Sequence, residues 1–380
     1  MEHKFKKALE SGEWTNWIWQ EQNAIMSIKK LLKYFPNLSE NTIQNLRKAE
    51  KFVKFKITPY VLSLIEVDAN LNPILDDPIW NIFVPHWDLT QDPAFFKENW
   101  ELPEDMITPI LQHKYTDRVA FRIRNTCLAY CQYCFEAKRT LAKQMLKDGY
   151  SAEYFHKSLD YIKNNKQIEE VVISGGEPLT MNNDQLESVL QDIRKIPHIK
   201  AIRIQTSAFV HNPFRIDDGF IKLLVEYDVT GIGLHIDHPR QVTPEFEDAL
   251  KRFSKYGCRT LLLAQIPLLK NINDNIEVLR ELLLKLYVLK VKPYYLLHAM
   301  PETLGAQRFR TSVLTGVKIL RALKRHISNP ALPEYVIVHC KGKHSVPFEI
   351  QGTDEFIYHN ARVCFLNWKN EWCVYEEGEN

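Results

Sequence analysis

Short apolar runs alternate with longer amphipathic runs between Arg118 and about residue 347. The short runs are nearly continuous and rich in β-branched residues, which is typical of parallel strands buried on both faces. They are VAFRIRN, EEVVISGG, KAIRIQTS, GIGLHI, RTLLLAQIPL, KVKPYYLL and EYVIVHC. The runs between them have helical spacing: SAEYFHKSLDYIKNN, NDQLESVLQDIRK, DDGFIKLLVEY, TPEFEDALKRFSKYG, NDNIEVLRELLLKL and SVLTGVKILRALKRH. This repetition predicts an α/β fold whose parallel sheet is closed or partly closed as a barrel.

The same pattern divides the chain into three segments. Residues 1–115 are predicted to be mainly helical, with signals in IMSIKKLLKYF and in the stretch after Ser39, and with an irregular, proline-bearing second half. Residues 116–347 are predicted to form the barrel, and residues 348–380 a short polar and aromatic C-terminal extension. Because no GxGxxG sequence follows the first strand, a dinucleotide-binding sheet is the weaker choice. In parallel barrels the chemistry lies at the C-terminal ends of the strands.

Composition narrows the class of partner. The 380 residues include 49 basic and 47 acidic side chains, a formal net charge of +2, which gives no reason to expect a nucleic acid or a membrane surface as partner. The opening MEHKFKKALESGEW lacks the apolar stretch of a secretory signal, and no apolar run is long enough to cross a bilayer. We therefore expect a cytoplasmic protein.

Three of the seven cysteines follow the first barrel strand within eight residues. Cys127, Cys131 and Cys134 have the spacing C-x3-C-x2-C. Three thiolates in so short a loop can bind three corners of a [4Fe–4S] cluster and leave the fourth iron open to S-adenosylmethionine (SAM). A zinc site is the alternative, although zinc usually takes a fourth Cys or His close by. Such a cluster in an intracellular chain indicates metal ligation rather than disulfide bonds.

A second signal stands where the next predicted strand ends. The sequence there is Ser174-Gly175-Gly176-Glu177-Pro178. Two glycines allow the backbone to approach a ligand closely, and carbonyls or a carboxylate can hold an ammonium group. Alone, these residues are equally compatible with a tight turn. One βα unit downstream of the cysteines, they resemble the motif that binds the SAM amino group in the radical SAM superfamily.

Most of the chain resembles, in order, the lysine 2,3-aminomutase family of that superfamily. Trp14, Trp17, Trp19 and Gln20 in EWTNWIWQEQN resemble the opening signature of the family. The matching stretches continue with ITPYVLSL, HKYTDRVAFRIRNTC, IRIQTS, LHIDHPRQVTPE, QIPLLKNINDN, VKPYYLL and RFRTSVLTG. The resemblance implies a partial parallel (β/α)6-type radical SAM barrel and an isomerase that uses a 5′-deoxyadenosyl radical to shift an amino group. It also implies pyridoxal 5′-phosphate (PLP) beside the cluster and SAM.

The resemblance assigns further residues to cofactor binding. Arg118 matches the arginine that holds the PLP phosphate, although an ordinary surface ion pair is the alternative. Gln265 and His238 match polar positions around SAM, and His238 is equally compatible with a structural histidine by its spacing. Tyr133, which lies between the second and third cysteines, is also assigned to cofactor binding. Arg203 is expected to point into the barrel without an assigned role.

A lysine that attaches PLP covalently is implied after the last barrel strand, in the stretch 339–347. Lys343 is the candidate and would be the catalytic residue, with Lys341 as the alternative. Either could instead be a solvated loop lysine.

The chain departs from the family at the position that grips the substrate carboxylate. Glu136 stands there instead of a basic residue, and an anion would repel a carboxylate unless Lys138 or Arg139 takes over.

Three more departures concern the distal part of the pocket and the C-terminus. The acidic residues that bind the distal ammonium of lysine are missing: Met300 stands near the first position, with Glu302 displaced, and His339 near the second. The lysine loop is shorter and has lost its glycine run. Only Cys364 and Cys373 remain of the zinc-binding cysteines, and both are compatible with buried thiols.

The leading interpretation is a PLP-dependent radical SAM aminomutase that acts on an amino acid or related amine other than free lysine. The alternative is a PLP-independent radical SAM enzyme that performs hydrogen abstraction, dehydration or epimerisation on another substrate. A zinc-binding, non-catalytic interaction module is a third possibility. The enzyme interpretations imply a small-molecule substrate and a reducing partner such as flavodoxin or ferredoxin, and the resemblance suggests a homo-oligomer.

Overall fold

The computed structural model describes residues 5–91, 100–141, 151–347, 356–359, 362–367 and 369–376. Its strands are β1 (Met106–Thr108), β2 (Leu111–Tyr115), β3 (Arg118–Arg124), β4 (Glu170–Gly175), β5 (Ala201–Thr206), β6 (Gly231–His235), β7 (Leu261–Leu268), β8 (Lys292–His298), β9 (Glu334–His339), β10 (Gly342–Ser345), β11 (Phe356–His359), β12 (Arg362–Leu366) and β13 (Trp372–Glu376). Its α-helices are α1 (Lys6–Ser11), α2 (Trp17–Gln22), α3 (Ile28–Leu31), α4 (Glu40–Glu50), α5 (Pro59–Ser63), α6 (Pro78–Phe83), α7 (Ala137–Thr140), α8 (Ala152–Asn164), α9 (Asn183–Arg194), α10 (Ala208–His211), α11 (Asp218–Glu226), α12 (Pro244–Lys255), α13 (Ile276–Val288), α14 (Ala306–Phe309) and α15 (Val313–Leu323).

The predicted strand–helix alternation is confirmed. Each apolar run forms one of the strands β3 to β9, which pair in parallel and in chain order. Each predicted amphipathic helix is present, as α8, α9, α11, α12, α13 and α15. The chain therefore has the expected α/β architecture, a partial parallel barrel with helices between its strands. Within the described ranges, no helix combines the length and the apolar character needed to cross a bilayer.

Polar caps define where the barrel helices begin. The side chain of each cap accepts a hydrogen bond from a backbone N–H in the first helical turn, which satisfies a donor that the helix itself leaves unpaired. The caps are Ser151, Asn182, Asp217, Thr243, Asn275 and Ser312. Because each cap ends a βα loop, the residues between strand and cap are left at the C-terminal edge of the sheet.

Several strands were not expected. β1 and β2 lie in the segment 1–115, predicted to be mainly helical, and extend the sheet in antiparallel orientation next to β3. β10 forms an antiparallel hairpin with β9 in the stretch expected to be a loop, and β11 to β13 form a small antiparallel sheet in the C-terminal extension. All of these strands are short. β2 and β10 are also mainly polar, so their ladder partners stabilise them, whereas β12 and β13 are mostly apolar and alternate in burial.

Two hydrophobic cores flank the cysteine loop. The larger core fills the space between the barrel sheet and its helices. The second belongs mainly to the N-terminal helices, and Cys127, Cys131 and Cys134 pack against it. Fully buried Gln20 ties this region together, because its side chain accepts from Tyr60 N at 2.9 Å and donates to Trp14 O at 2.8 Å. The cysteine loop thus lies between the N-terminal core and the mouth of the barrel.

Candidate active site

A cavity of about 270 Å³ lies inside the barrel sheet, lined both by residues within the strands, such as Val172 and Arg203, and by residues at the C-terminal strand ends. Its walls come from strands β2 to β10, from the loop that carries the cysteines and from the loop after β8. Parallel strands end at one edge, so residues far apart in the sequence meet there. Of the residues expected from the sequence to form the site, those that line the cavity are Arg118, Tyr133, Ser174, Arg203, Gln265 and Lys343.

The three cysteines of the loop are partly buried free thiols. Burial, and then the Cys134 thiol, raise the pKa of Cys127, and burial raises that of Cys134 to about 12. Cys131 Sγ lies 3.7 Å from His211 Nε2, and Cys134 Sγ lies 3.9 Å from Thr140 Oγ1. Buried thiols of this kind ionise when a cation binds them, and three soft sulfur donors suit an iron–sulfur cluster.

In the described part of the chain, no three or more His, Cys, Asp or Glu side chains are placed as ligands of one metal ion. A zinc ion needs all its ligands at about 2.0–2.3 Å, whereas the ligands of a cluster bind separate irons. The three cysteines of this loop supply the sulfur donors that a cluster takes.

The two glycines of the Ser174–Pro178 motif bring β4 against the segment that leads into the cysteines. Gly176 N donates to Arg124 O at 2.6 Å. A Cβ on Gly175, whose φ is +128°, would lie 2.3 Å from Arg124 O, and a Cβ on Gly176 would lie 2.4 Å from Thr126 O. Only glycine allows this approach, so both positions keep the cysteine loop and the end of β4 in contact.

Glu177 holds the base of this loop and does not line the cavity. Its buried carboxylate accepts from Leu179 N at 2.9 Å, Thr206 Oγ1 at 2.7 Å and Ser207 N at 2.7 Å. Burial raises the pKa of Glu177 to about 7. The Glu177 carboxylate thus joins the ends of β4 and β5. Of the residues in the Ser174–Pro178 motif, Ser174 lines the cavity.

Three polar side chains meet on the inner face of the barrel. Gln205 Oε1 accepts from Gln265 Nε2 at 3.0 Å and lies 3.3 Å from His235 Nε2. Gly233 makes room, because a Cβ there would lie 2.0 Å from Gln205 Oε1. Sequence reasoning found Gln265 but missed Gln205 and His235. Their signal was a polar residue at or next to the C-terminal end of an otherwise apolar strand.

His238 does not reach the cavity. It begins a turn after β6, where its Nδ1 accepts from Arg240 N at 3.3 Å and its backbone N donates to Gln241 Oε1 at 3.0 Å. Burial lowers the pKa of His238 to about 4. These contacts hold the turn after β6, and the assignment of His238 to SAM binding stays a prediction.

Tyr133 lines the cavity, and a hydrogen bond of its hydroxyl holds the side chain in place. Its hydroxyl donates to the carboxylate of Asp237, which is buried on the loop after β6. Burial raises the pKa of Asp237 to about 6. The contact joins the cysteine loop to the loop after β6.

The two edges of the sheet meet through side chains near Lys343. Lys343 lies on β10, and its backbone N donates to the hydroxyl of Tyr115 at the end of β2, over 2.8 Å. The Arg118 guanidinium carbon lies 4.2 Å from the centre of the Tyr115 ring. Residues 228 positions apart in sequence are thereby brought together.

The ammonium of Lys343 lies near Arg203 and Arg118, each of which also pairs with a carboxylate, Glu170 and Asp117 respectively. Lys343 is exposed, and its Nζ atom lies 4.7 Å from the centre of the Tyr295 ring. Burial, then Arg203 and Arg118, lower the pKa of Lys343 to about 8. Lys341 lies in the turn, its Nζ 3.7 Å from Glu371 Oε2, and does not line the cavity. Two guanidinium groups beside a readily deprotonated amine fit the phosphate and the carbonyl of PLP.

Four charged residues form a ring under one wall of the cavity, called here the buried ion-pair ring. Arg122 Nε lies 2.8 Å from Glu136 Oε1, and Arg122 Nη2 lies 2.7 Å from Glu101 Oε1. Arg139 closes the ring by pairing with Glu136 at 3.0 Å and with Glu101. The most exposed of the four side chains, Arg139, is 12% accessible.

The ring changes the expectation for Glu136. Burial raises the pKa of Glu136, but Arg122 and Arg139 lower it more, so the carboxyl stays below its ordinary pKa. Arg139, one of the two residues expected to take over the binding of the substrate carboxylate, pairs with Glu136 and Glu101 in this ring. The wall carries equal numbers of positive and negative charges, so Glu136 does not present an unpaired anion.

The distal wall has few polar groups. Met300, Thr303 and His339 line it, whereas Glu302 does not, and Glu136 is the one carboxylate among the described lining residues. Of the two C-terminal cysteines, Cys373 is a buried free thiol, and Cys364 is a partly buried one.

The C-terminal sheet packs against the cavity wall. The Tyr375 hydroxyl lies 2.6 Å from His298 Nδ1. The ring of His344, on the hairpin that carries Lys343, stacks on the Phe365 ring with 4.6 Å between the ring centres. The sheet therefore supports the hairpin from outside.

Comparison with known proteins identifies the relatives of the chain. Residues 122–283 match the radical SAM superfamily. The chain is 32% identical over 377 residues to L-lysine 2,3-aminomutase of Fusobacterium nucleatum, covering 99% of this chain and 86% of that one. It is 31% identical over 337 residues to L-lysine 2,3-aminomutase of Clostridium subterminale, covering 87% and 77%. It is also 31% identical over 352 residues to glutamate 2,3-aminomutase of Clostridioides difficile, covering 90% and 79%.

The relatives are named for two different substrates, lysine and glutamate. The family match implies a [4Fe–4S] cluster and SAM, and the relatives are enzymes of the aminomutase type. The chain belongs to the lysine 2,3-aminomutase family of the radical SAM superfamily.

Proposed function

We propose that the chain is a PLP-dependent radical SAM aminomutase whose substrate is an amino acid or related amine other than free lysine. The observation that carries the proposal is the position of Lys343, whose Nζ faces the cavity beside Arg118 and Arg203. An amine with a pKa of about 8 is largely available as a nucleophile at mildly alkaline pH. A loop lysine that faces only solvent would not have these arginine neighbours.

Each cofactor has candidate residues at the strand ends. Cys127, Cys131 and Cys134 would hold the cluster, with the glycine pair and Ser174 beside it for the amino group of SAM. Gln205, His235 and Gln265 offer hydrogen-bonding groups between the cluster loop and Lys343 for the rest of SAM. Arg118 and Arg203 would bind the PLP phosphate while Lys343 attaches the cofactor. When bound, SAM supplies a carbon radical that abstracts an unactivated hydrogen, and PLP supplies a π-system for the migrating nitrogen.

The walls of the cavity keep water away from the reacting atoms. Leu269, Leu297, Met300 and Val338 contribute apolar surface between the polar groups. A dry cavity protects a reactive carbon centre from side reactions and strengthens the polar contacts inside. The chain's own contribution is therefore to place two cofactors and a substrate within reach of one another.

The lining also supports a substrate without a distal ammonium group. Glu136 is the one carboxylate among the described lining residues, and Arg122 and Arg139 already pair with it. Removing it from that ring to bind an ammonium would leave Arg122 and Arg139 with Glu101 as their one shared carboxylate, which costs roughly 3–5 kcal/mol. The described lining residues therefore offer no unpaired carboxylate to the side-chain ammonium of free lysine.

Further parts of the proposal follow from the chemistry. A cluster that reduces SAM needs single electrons, so we propose a reducing partner of the flavodoxin or ferredoxin type. We also propose a cytoplasmic, homo-oligomeric enzyme built from the segments 1–115, 116–347 and 348–380, the first of which contributes β1 and β2 to the barrel sheet.

The test is a borohydride trap. PLP is added to the anaerobic protein, the complex is reduced, and the modified peptide is mapped by mass spectrometry, with Lys343→Ala and Lys341→Ala as a matched pair. We expect a pyridoxyl adduct on Lys343 that disappears in Lys343→Ala and persists in Lys341→Ala. If neither lysine is labelled, the aminomutase proposal fails and a PLP-independent radical SAM enzyme takes its place.

A further inference from the structure

A histidine outside the predicted site lies against one of the cluster cysteines. His211 ends the short helix α10, which follows β5, and its side chain is buried. Its Nε2 atom lies 3.7 Å from Cys131 Sγ, within the range of a hydrogen bond to sulfur. No sequence motif singled out this residue, which lies 80 positions after Cys131.

The fold fixes the imidazole in this position. His211 O accepts from Thr58 Oγ1 at 2.7 Å, which ties α10 to the N-terminal region. The ring packs edge-on against Phe83, with 5.2 Å between the ring centres. Because the backbone and the ring are both held, the imidazole has little freedom to turn away from the thiol.

The partners of the two ring nitrogens indicate which one carries a proton. Nε2 has the Cys131 sulfur within reach, whereas Nδ1 is buried and has no hydrogen-bond partner among the described residues. A buried N–H without an acceptor loses its hydration and gains nothing in return. The tautomer with the proton on Nε2 avoids this cost, and an imidazolium would donate from the same atom.

We propose that the His211 Nε2–H donates a hydrogen bond to the cluster-bound thiolate of Cys131 and thereby raises the reduction potential of the [4Fe–4S] cluster. Reduction adds one negative charge to the cluster, part of which is spread over the sulfur ligands. A donor aimed at one sulfur stabilises the reduced form more than the oxidised form, which is a recognised way of tuning such clusters. His211 is in this sense a positioning residue, since it acts through Cys131.

The inference rests on the proposed binding of the cluster by Cys131. Iron and sulfide content are therefore measured first, in the anaerobically reconstituted protein without SAM or PLP. If the wild-type protein holds no cluster, the proposed ligation by Cys131 is refuted, and so is the proposed role of His211. If the cluster is intact, the remaining measurements concern His211 alone.

The main experiment is a redox titration followed by the electron paramagnetic resonance (EPR) signal of the reduced cluster. At a fixed potential, His211→Leu is expected to show about a tenfold lower ratio of reduced to oxidised cluster, equal to about 59 mV for a one-electron couple. His211→Gln retains an N–H donor and is expected to recover part of the shift. An intact cluster with unchanged potential in His211→Leu overturns the proposal.

A matched histidine controls for general effects of the substitution. His198 precedes β5 at the opposite end of the same strand, and its Nε2 lies 3.0 Å from Ile162 O. His198→Leu removes a half-buried imidazole far from the cysteine loop and is expected to leave the potential unchanged. An equal shift in both variants would mean that the effect is not specific to the Cys131 contact.

A second measurement uses the wild-type protein alone, so it does not depend on a variant that keeps its cluster. Wild-type protein labelled with [15N]histidine is reduced and examined by pulsed EPR, with unlabelled protein as reference. The hydrogen bond predicts a hyperfine coupling from one histidine ring nitrogen and from one exchangeable proton that disappears in D2O. The absence of a histidine 15N coupling in the intact reduced cluster refutes the contact.

Discussion

Arg122 and Glu136 form an ion pair sealed inside the protein, with Nε of the guanidinium donating to the carboxylate Oε1 over 2.8 Å. The pair joins the third strand of the sheet to the residues that follow the cluster cysteines. Glu136 stands at the position where the family resemblance implied a basic residue for the substrate carboxylate. In this chain the position is part of the wall that supports the cysteine loop.

The first prediction concerns the stability of this wall. Glu136→Ala leaves Arg122 and Arg139 facing a single carboxylate, Glu101, and is expected to lower the free energy of unfolding by about 3–5 kcal/mol. Chemical denaturation of the cluster-free protein measures this change. The control is Glu153→Ala, which removes an exposed pair with Lys157 and should leave the free energy of unfolding almost unchanged.

The double variant Arg122→Met with Glu136→Leu sharpens the same prediction. It removes one charge of each sign, so its cost is expected to be smaller than the sum of the two single variants. Additive losses, or a Glu136→Ala loss no larger than that of Glu153→Ala, would show that the ring does not behave as a coupled unit.

The second prediction concerns pH. Attachment of PLP requires a neutral amine, and the pKa of Lys343 is lowered to about 8 by burial, Arg203 and Arg118. The protonated, unreactive form dominates below that value, so the initial rate of PLP attachment should rise with pH and level off above about pH 8. Arg203→Gln removes one of the lowering charges and should move the midpoint upward. A wild-type midpoint near 10 would contradict the environment assigned to Lys343.

The third prediction tests the glycine contact. A methyl group on Gly176 would lie 2.4 Å from Thr126 O, so Gly176→Ala forces the end of β4 away from the cysteine loop. We expect production of 5′-deoxyadenosine from SAM to fall on the order of a hundredfold, because small displacements of reacting groups are costly. Gly231→Ala, whose added Cβ would find its nearest neighbour at 3.7 Å, should keep normal activity. Equal rates of 5′-deoxyadenosine production in the two variants would show that the contact of Gly176 with Thr126 is not needed for SAM cleavage.

The fourth prediction separates PLP binding from SAM cleavage. Arg118→Ala removes a guanidinium from the cavity and is expected to weaken PLP binding by about 1.5–3 kcal/mol, the value of a hydrogen bond to a charged group. Uncoupled SAM cleavage should persist, since Arg118 lies on the Lys343 side of the cavity. Equilibrium dialysis with PLP measures the first effect, and Arg362→Ala, an exposed arginine on the C-terminal sheet, serves as control. Unchanged PLP affinity would exclude Arg118 from the phosphate site.

The fifth prediction concerns the cluster ligands. Cys131→Ala should abolish SAM cleavage and lower the iron content of the reconstituted protein. Cys258→Ala removes a thiol that donates to Thr260 Oγ1 at 3.3 Å, outside the cavity, and should retain both. Retained SAM cleavage in Cys131→Ala would refute the assignment of the cluster.

Sequence patterns predicted the barrel strands and helices because burial on both faces of a parallel sheet requires long apolar runs. They failed for β1, β2 and β10, whose short polar segments are stabilised by a neighbouring strand and leave no periodic signal. The extension after residue 347 was expected to be a short tail, and its small sheet was missed although β12 and β13 alternate between buried and less buried positions.

By itself, the sequence determined the family, the barrel and the residues that lie close together along the chain, namely the cysteine loop and the glycine motif. Local spacing was enough for these, because one short loop holds each set. Only the tertiary structure decided which distant side chains meet. It paired Arg122 with Glu136, set Gln205 and His235 beside Gln265, and turned His238 away from the cavity.

The same limit applies to the two contacts that join the cofactor sites to the rest of the fold. Tyr115 reaches Lys343 across 228 positions, and His211 reaches Cys131 across 80. Such contacts depend on strand register and on the paths of the loops, which no pattern within one segment of sequence encodes. The chemistry of the site could therefore be predicted from residue types, whereas its electrostatics came from the packing of the strands.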